Sequence, residues 1–205
     1  MNICIQRLRE KIAREAASLL YSGAEKEYKQ AKLKAACAFQ SKFLPTNFEV
    51  AIELDSLAEE NEGLSRQKRL IQMRKEALKL MRILKAYRTL LIGSVWRGTI
   101  HYDSDIDIVV YHDEQEDILG ILKQKDLKIT RTEWTTVTKK GKQTGAFHIY
   151  AELSTKEKAE IKIVPSSETS RKEKCEIYGD EITGLSRQEL ERVLKENPTQ
   201  RFLPI

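Results

Sequence analysis

The hydrophobic period of the sequence changes at Thr89, and this change limits the folds that the chain can adopt. Before Thr89, apolar residues recur at helical spacing; after it, the apolar runs are short enough to be strands. We therefore predict an α+β fold with an N-terminal helical arm at residues 1–88 and a small domain at residues 89–205. The small domain is expected to contain a mixed β-sheet flanked by helices.

The predicted elements are separated by glycine, proline and turn residues. In chain order they are one or two helices in residues 3–40, helices at 47–61 and 65–88, strands at 89–92 and 106–111, a helix at 113–125, hairpin strands at 127–138 and 147–153 around a turn at 139–145, a strand at 159–164 and a helix at 186–196. Gly23 and Pro45 mark breaks, since proline cannot continue a helix. Thr46 or Asn47 can cap the helix that follows the linker, and Ser186 can cap the last one.

The composition excludes several classes of protein. No apolar run approaches the roughly 18 residues that a membrane span needs, and the N-terminus lacks the apolar core of a signal peptide. The three cysteines, Cys4, Cys37 and Cys175, form no C-x-x-C pair, which predicts free thiols and no zinc site. We therefore expect a cytoplasmic protein that does not contact membranes.

The charge of the chain is unevenly distributed. Residues 1–88 contain 18 Lys and Arg against 11 Asp and Glu, whereas the remaining residues contain 18 against 20. A basic extension next to a slightly acidic body suits an anionic partner such as nucleic acid. Charge alone, however, favours the alternative of a solvated helix face, because Lys and Arg are good helix formers.

Two aspartates on a predicted strand carry the clearest chemical signal. Side chains alternate along a strand, so Asp105 and Asp107 share one face while Ile106 and Ile108 share the other, core-facing side. Folding alone does not require two carboxylates so close together, and both remain ionised only when a cation lies between them. Oxygen ligands at this spacing suit a hard divalent ion such as Mg²⁺.

A Gly-Ser turn lies upstream of the aspartates. Gly93 and Ser94 follow an apolar strand and open a short predicted helix, whose first amide groups can bind phosphate. Gly93 permits a close backbone approach, and the Ser94 hydroxyl can donate a further hydrogen bond. Arg97 lies one turn later and can pair with a phosphate oxygen, or it can be an ordinary surface residue. Together with the aspartates, this turn predicts a binding site for a metal–nucleoside triphosphate.

The complete pattern, Gly-Ser followed after ten residues by Asp-x-Asp, resembles the signature of the DNA polymerase β-like nucleotidyltransferase superfamily. The segments 93–99 (GSVWRGT) and 104–108 (SDIDI) are similar to those of the archaeal-type (class I) CCA-adding enzymes. The likeness covers roughly residues 88–165. It implies that residues 89–205 form a nucleotidyltransferase domain, and it adds Thr99 to the nucleotide-binding residues Gly93, Ser94 and Arg97.

The superfamily also implies two-metal catalysis, with Mg²⁺, or alternatively Mn²⁺, held by three carboxylates. Asp105 and Asp107 match the first two. The family usually places the third at the position that Lys162 occupies here. Glu160 lies two residues earlier and points to the same face, so we predict it as the third catalytic and metal-binding residue, with Glu152 in reserve. Lys162 itself can contact phosphate or a nucleic-acid strand.

We expect the chain to transfer a nucleoside monophosphate from a nucleoside triphosphate to a hydroxyl group, with RNA as the acceptor bound by the basic helical arm. Two alternatives stay open at this point. The chain can be a catalytically degenerate nucleotide- or RNA-binding module, or it can modify a protein or small-molecule hydroxyl. His101, His112 and His148 lack metal-ligand spacing and are interpreted as surface or hydrogen-bonded histidines.

Overall fold

The computed structural model describes residues 3–125, 127–139 and 142–204. Three N-terminal helices precede a five-stranded mixed sheet with further helices, which confirms the predicted fold class. The elements are α1 (Ile3–Tyr21), α2 (Tyr28–Ala38), α3 (Asn47–Ile83), β1 (Arg88–Ile92), α4 (Gly93–Arg97), β2 (Ile106–Tyr111), α5 (Gln115–Gln124), β3 (Lys128–Lys139), β4 (Lys142–Glu152), β5 (Lys158–Val164), a 3-10 helix (Ser166–Ser170) and α6 (Arg187–Glu196). None of the helices in the described ranges has the length and apolar character of a membrane span.

The range of α3 contains the two predicted helical segments, which meet at a kink. Gly63 separates them, since its φ of 51° and ψ of −130° are not helical. The second segment ends at Ile83, five residues earlier than predicted, and β1 begins at Arg88. At the other end Thr46 is the cap: its hydroxyl accepts from the Glu49 amide (3.2 Å), and the Glu49 carboxylate accepts from the Thr46 amide (2.6 Å).

The hairpin of β3 and β4 is longer than predicted. The antiparallel ladder continues to the pair Lys139 and Lys142, so most of the predicted turn at residues 139–145 is strand. The rest of that predicted turn, residues 140 and 141, lies outside the described residues. Threonine and valine at the end of β3 have high strand propensity, which explains why the ladder continues past the predicted end of the strand.

The chain forms two compact units. One contains Met1–Arg66, Lys174–Glu181 and Leu203–Ile205, and the other contains Gln67–Glu173 and Ile182–Phe202. The first unit has its own small core, where alanines of α1 and α2 pack with Ile12 and Val50. The predicted boundary at residue 88 stays a prediction.

The sheet has the strand order β1-β2-β5-β4-β3. Strands β2 and β5 are parallel, and the other neighbouring pairs are antiparallel. In the parallel pair, Asp107 lies opposite Glu160 and Val109 lies opposite Lys162. Residues directly opposite each other point to the same face of a sheet, so these four side chains share one face.

The two faces of the sheet have different surroundings. Residues such as Leu91, Ile108 and Ile161 are buried in the core of the second unit, together with apolar residues of α3, α5 and α6. The opposite face carries Asp107 and Glu160 and is not covered by these helices. We call it the open face, and it is the face on which chemistry can occur.

Arg74 is a fully buried arginine that connects three parts of the second unit. Its guanidinium donates to the carbonyl oxygens of Val95 (3.1 Å) and Trp96 (2.8 Å) on α4, and to those of Pro198 and Gln200 (2.8 Å each) near the C-terminus. Burial without a carboxylate partner lowers the pKa of Arg74 to about 10. The four hydrogen bonds fix α4, and hence the Gly-Ser turn, from the interior.

We predict that Arg74→Met lowers the free energy of unfolding by about 3 kcal/mol or more, because four carbonyl groups lose a charged donor. Urea unfolding measures this loss. The control is Lys75→Met on the exposed side of the same helix, which should change stability by less than about 0.5 kcal/mol. A loss at Arg74 as small as the control would show that these hydrogen bonds do not hold α4.

Candidate active site on the open face of the sheet

Three carboxylates predicted to act together come from neighbouring positions of the sheet. Asp107 on β2 is opposite Glu160 on β5, and Asp105 lies just before β2 on the same side as Asp107. Both aspartates are partly buried. The structure therefore brings the three predicted carboxylates to one region of the open face, and their assignment as metal ligands stays a prediction.

Gly93 lies directly against the carboxylate of Asp107. A Cβ atom added at Gly93 would lie 2.0 Å from Asp107 Oδ2 and 2.9 Å from its Cγ, so no other residue fits without displacing the aspartate. Gly93 also has a φ of 71°, which favours glycine. The strand register explains this approach, because Ile92, the residue before Gly93, pairs with Asp107.

The remaining predicted nucleotide-binding residues surround the short helix α4. Ser94 and Thr99 are partly exposed, and the Ser94 carbonyl accepts from the Thr99 amide (3.0 Å). Arg97 is only 3% exposed, donates to the Phe202 carbonyl (3.1 Å) and lies over the Trp96 ring. The alternative of a surface arginine is therefore wrong, and the phosphate contact of Arg97 stays a prediction.

Burial and neighbouring carboxylates raise the pKa of both aspartates. Burial, with the nearby charges of Glu160 and Asp105, raises the pKa of Asp107 to about 8. Burial also raises the pKa of Asp105, against the opposing effect of Lys158 and Arg69. The ionised form of Asp107 is therefore disfavoured in the protein without a bound cation.

No set of three or more His, Cys, Asp or Glu side chains in the described part of the chain converges closely enough to hold a metal ion as it stands. The donor chemistry of the site nevertheless fits a hard divalent cation, since Asp105, Asp107 and Glu160 offer carboxylate oxygens and Asp107 is destabilised by the other two. A bound cation would relieve this repulsion.

Glu160 is held by a histidine that was not predicted as part of the site. His148 Nδ1 lies 2.5 Å from Glu160 Oε1, and its Nε2 lies 2.7 Å from the Thr135 hydroxyl. His148 is 9% exposed. This chain of hydrogen bonds sets the orientation of the Glu160 carboxylate, and it confirms the interpretation of His148 as hydrogen-bonded. The only sequence signal was that His148, Tyr150 and Glu152 occupy every second position of a predicted strand and therefore share one of its faces.

Arg69 was also missed by the sequence analysis. Its guanidinium donates to the carbonyl oxygens of His101 (2.7 Å) and Ser104 (3.1 Å) and pairs with Glu157 (2.7 Å). These contacts hold the loop that leads into Asp105. The sequence carries no signal for this role, because Arg69 lies on a helix 35 residues before Ser104.

Glu152, the reserve for the third carboxylate, lies at the end of β4. It pairs with Lys128 (3.1 Å) and Lys156 (3.6 Å), and Lys128 lowers its pKa. Its register partner on β5 is Lys158. Glu160, in contrast, is the register partner of Asp107, and this placement favours Glu160 as the third carboxylate.

We predict that Gly93→Ala destabilises the protein more than Gly179→Ala. Both glycines have positive φ, 71° and 77°, but a Cβ at Gly179 meets nothing within 4 Å. The Gly179→Ala control should therefore lose only the free energy that the backbone conformation costs, about 1–2 kcal/mol. In Gly93→Ala, the clash with Asp107 should add roughly 1–3 kcal/mol to this loss. Urea unfolding compares the two variants. Equal losses would contradict the close approach.

We predict that Asp107→Asn stabilises the metal-free protein at neutral pH. The carboxyl pKa is 3.8 in the reference state and about 8 in the folded protein. Between these values the folded state retains a proton that the unfolded state releases, so wild-type stability falls as the pH rises. In thermal melts with a chelator, the variant should exceed the wild type near pH 8, and the difference should shrink towards about pH 4.

The control for this pH series is Glu114→Gln, at an exposed carboxylate before α5. Its melting temperature should follow that of the wild type at every pH. A wild-type stability that does not fall between the two pKa values would show that Asp107 is well solvated or compensated by charge.

Three solved structures are similar to this chain at low sequence identity. They are a cytoplasmic RNA terminal U-transferase (17% identity, TM-score 0.30), the Cid1 poly(U) polymerase with bound MgGTP (15%, 0.30) and the GLD-2/RNP-8 complex (12%, 0.34). The matches cover 57%, 46% and 60% of this chain and 34%, 32% and 44% of those chains. The chain therefore spans less than half the length of each. Among curated proteins, none matches the sequence.

The model of a protein family described as a nucleotidyltransferase domain matches residues 71–178. This range is more than half of the chain, and it contains the Gly-Ser turn, β2 and β5. The chain therefore belongs to the nucleotidyltransferase domain family, within the DNA polymerase β-like superfamily that its motif resembles.

Proposed function

We propose that this chain is a Mg²⁺-dependent nucleotidyltransferase that moves a nucleoside monophosphate from a nucleoside triphosphate to a hydroxyl group. The observation that carries the proposal is the close packing of Gly93 on Asp107, where an added Cβ would lie 2.0 Å from Oδ2. This contact supports a single site formed by the proposed phosphate-binding turn and the carboxylates. Membership of the nucleotidyltransferase domain family supports the same reaction.

The residues of this site have separate roles in the proposed reaction. Amide groups of the turn at Gly93 and the Ser94 hydroxyl hold the triphosphate, with Thr99 at the edge of the turn. We propose that Arg97 supports this turn from inside through its contacts with Trp96 and Phe202. Mg²⁺ or Mn²⁺, when bound, would activate the acceptor hydroxyl and neutralise the charge of the leaving pyrophosphate.

Asp105, Asp107 and Glu160 would hold the two metal ions. In the transfer, the acceptor oxygen forms a bond to the α-phosphorus while the bond to the pyrophosphate oxygen breaks. Pyrophosphate leaves with the electron pair, and the hydroxyl proton passes to a carboxylate of the site or to water. His148 keeps Glu160 in position through their 2.5 Å hydrogen bond.

RNA is the acceptor class that we propose first. Within the superfamily, the segments 93–99 and 104–108 are most like those of archaeal-type CCA-adding enzymes, which act on RNA ends. The positive charge of the helical arm supports an RNA partner as well, and it is concentrated in a short range. Residues 1–66 contain ten Lys and Arg against ten Asp and Glu, whereas residues 67–88 contain eight against one.

This excess charge forms a stripe on the exposed side of α3. Lys68, Lys75, Lys79 and Arg82 are exposed and follow one another at intervals of seven, four and three residues, so they share one face of the helix. The other side of this part of α3 is buried in the core behind the sheet. Lys79 and Arg82 are paired with Glu76 and Glu191, so Lys68 and Lys75 are the side chains that we propose first for contact with an RNA backbone.

The reducing cytoplasm is the compartment that we propose. Cys37 and Cys175 are free thiols in the structure, and free thiols persist in a reducing environment.

We predict that Asp105→Asn or Asp107→Asn abolishes transfer while the protein stays folded, because the change removes a metal ligand and keeps a side chain of nearly equal size. The assay combines the protein with labelled nucleoside triphosphates, Mg²⁺ and total RNA, and it measures incorporation and pyrophosphate release. Glu114→Gln is the matched carboxylate control and should keep full activity. Normal transfer by either aspartate variant would refute the assignment.

The same assay separates the alternatives. Nucleotide binding without pyrophosphate release would favour a degenerate binding module. Label that enters a protein or a small-molecule fraction, and not RNA, would change the acceptor while retaining the chemistry.

A further inference from the structure

A cavity of about 300 Å³ opens on the same face of the sheet as the carboxylates. This volume is at the lower end of the range for small-molecule sites, about 300–1,000 Å³. One wall is apolar and is formed by Leu90, Ile92, Val109, Val164 and Ile182. The polar groups of the lining include Lys162, His148 and Thr135.

The cavity lies immediately beyond the predicted catalytic carboxylates. Val109 and Lys162 are two residues after Asp107 and Glu160 on the same strands, which corresponds to about 7 Å along the sheet. His148 connects the two places, since it lines the cavity and also binds Glu160 (2.5 Å). A molecule in the cavity would therefore have one end beside Glu160.

Lys162 places a positive charge in a lining that also contains the cation Arg171 and the acids Glu168 and Glu173. It is partly buried, and no side chain that the structure describes forms an ion pair with it. The other cation of the lining, Arg171, is paired with Glu168 at 2.6 Å. An ammonium group at the wall of a cavity, without a carboxylate in ion-pair distance, suits an anionic ligand.

We propose that this cavity binds a phosphate-bearing nucleoside, with its phosphate on Lys162 and its base against the apolar wall. The size of the cavity, the charge of Lys162 and the apolar wall support this chemistry. The ligand would be the acceptor of the transfer. This role rests on the proposed function, whereas the binding of the ligand does not depend on it. A free nucleotide and the last nucleotide of an RNA share this chemistry.

The first test is calorimetric titration with AMP and with adenosine in the absence of divalent ions. Lys162→Met should weaken AMP binding by about tenfold or more, because one charge-assisted contact is lost, and should leave adenosine binding unchanged. Lys156→Met, at an exposed lysine of the turn between β4 and β5, is the matched control. An AMP affinity within twofold of the wild type in Lys162→Met would overturn the proposal.

A second variant tests the cavity without changing its charge. Ala146→Phe places a ring in the cavity and should abolish binding of both AMP and adenosine, while a thermal melt verifies that the variant is folded. Unchanged binding in the folded variant would overturn the proposal.

Hexaadenylate distinguishes an RNA end from a free nucleotide as the ligand. Binding of hexaadenylate that is tighter than that of AMP indicates an RNA end, and equal binding indicates a free nucleotide. Absence of binding by both ligands overturns the proposal.

The Asp105→Asn variant separates this proposal from the proposed function. It should lose transfer and keep AMP binding, because Asp105 does not line the cavity. If the Asp105→Asn variant does not bind AMP, the nucleotide occupies the triphosphate site and the cavity proposal fails. If the wild type binds AMP through Lys162 but transfers nothing, the proposed function fails and the cavity proposal stands.

Discussion

The packing of Gly93 against the Asp107 carboxylate is the contact on which the rest of the site depends. The turn between β1 and α4 approaches β2 so closely that a single added carbon would lie 2.0 Å from Asp107 Oδ2. Arg74 prevents the turn from moving away, since its guanidinium binds the Val95 and Trp96 carbonyls from inside. The turn that we propose to bind phosphate and the strand that we propose to bind metal are thereby held in one fixed relation.

The open face combines opposite charges in consecutive rows. Asp107 and Glu160 form one row, where repulsion and burial raise the pKa of Asp107 to about 8. Val109 and Lys162 form the next row, where the charge is positive and a cavity begins. We propose that Glu160, one row before Lys162 on β5, serves as the third acid and that Lys162 adds an anion-binding group beside it.

Sequence patterns predicted the elements well where the signal was local. Alternating residues defined β2 and β5, and the Ser186 cap with Glu189 was found as a complete capping box. The break at Gly63 was predicted, whereas the end of α3 at Ile83 and the length of the β3–β4 ladder were not, because the ends of elements depend on tertiary packing as well as on local sequence. Arg74 and His148 were missed because their partners lie on other elements, 21 to 126 residues away for Arg74 and 12 and 13 residues away for His148.

By itself, the sequence determined the Gly-Ser turn, the Asp-x-Asp strand and the shared face of Glu160 and Lys162. These are local properties, since the alternation of side chains along a strand requires no partner. Only the tertiary structure decided that Glu160 is opposite Asp107, more than fifty residues away, and that a cavity opens beside Lys162. Strand register depends on packing between distant segments, and no short segment contains that information.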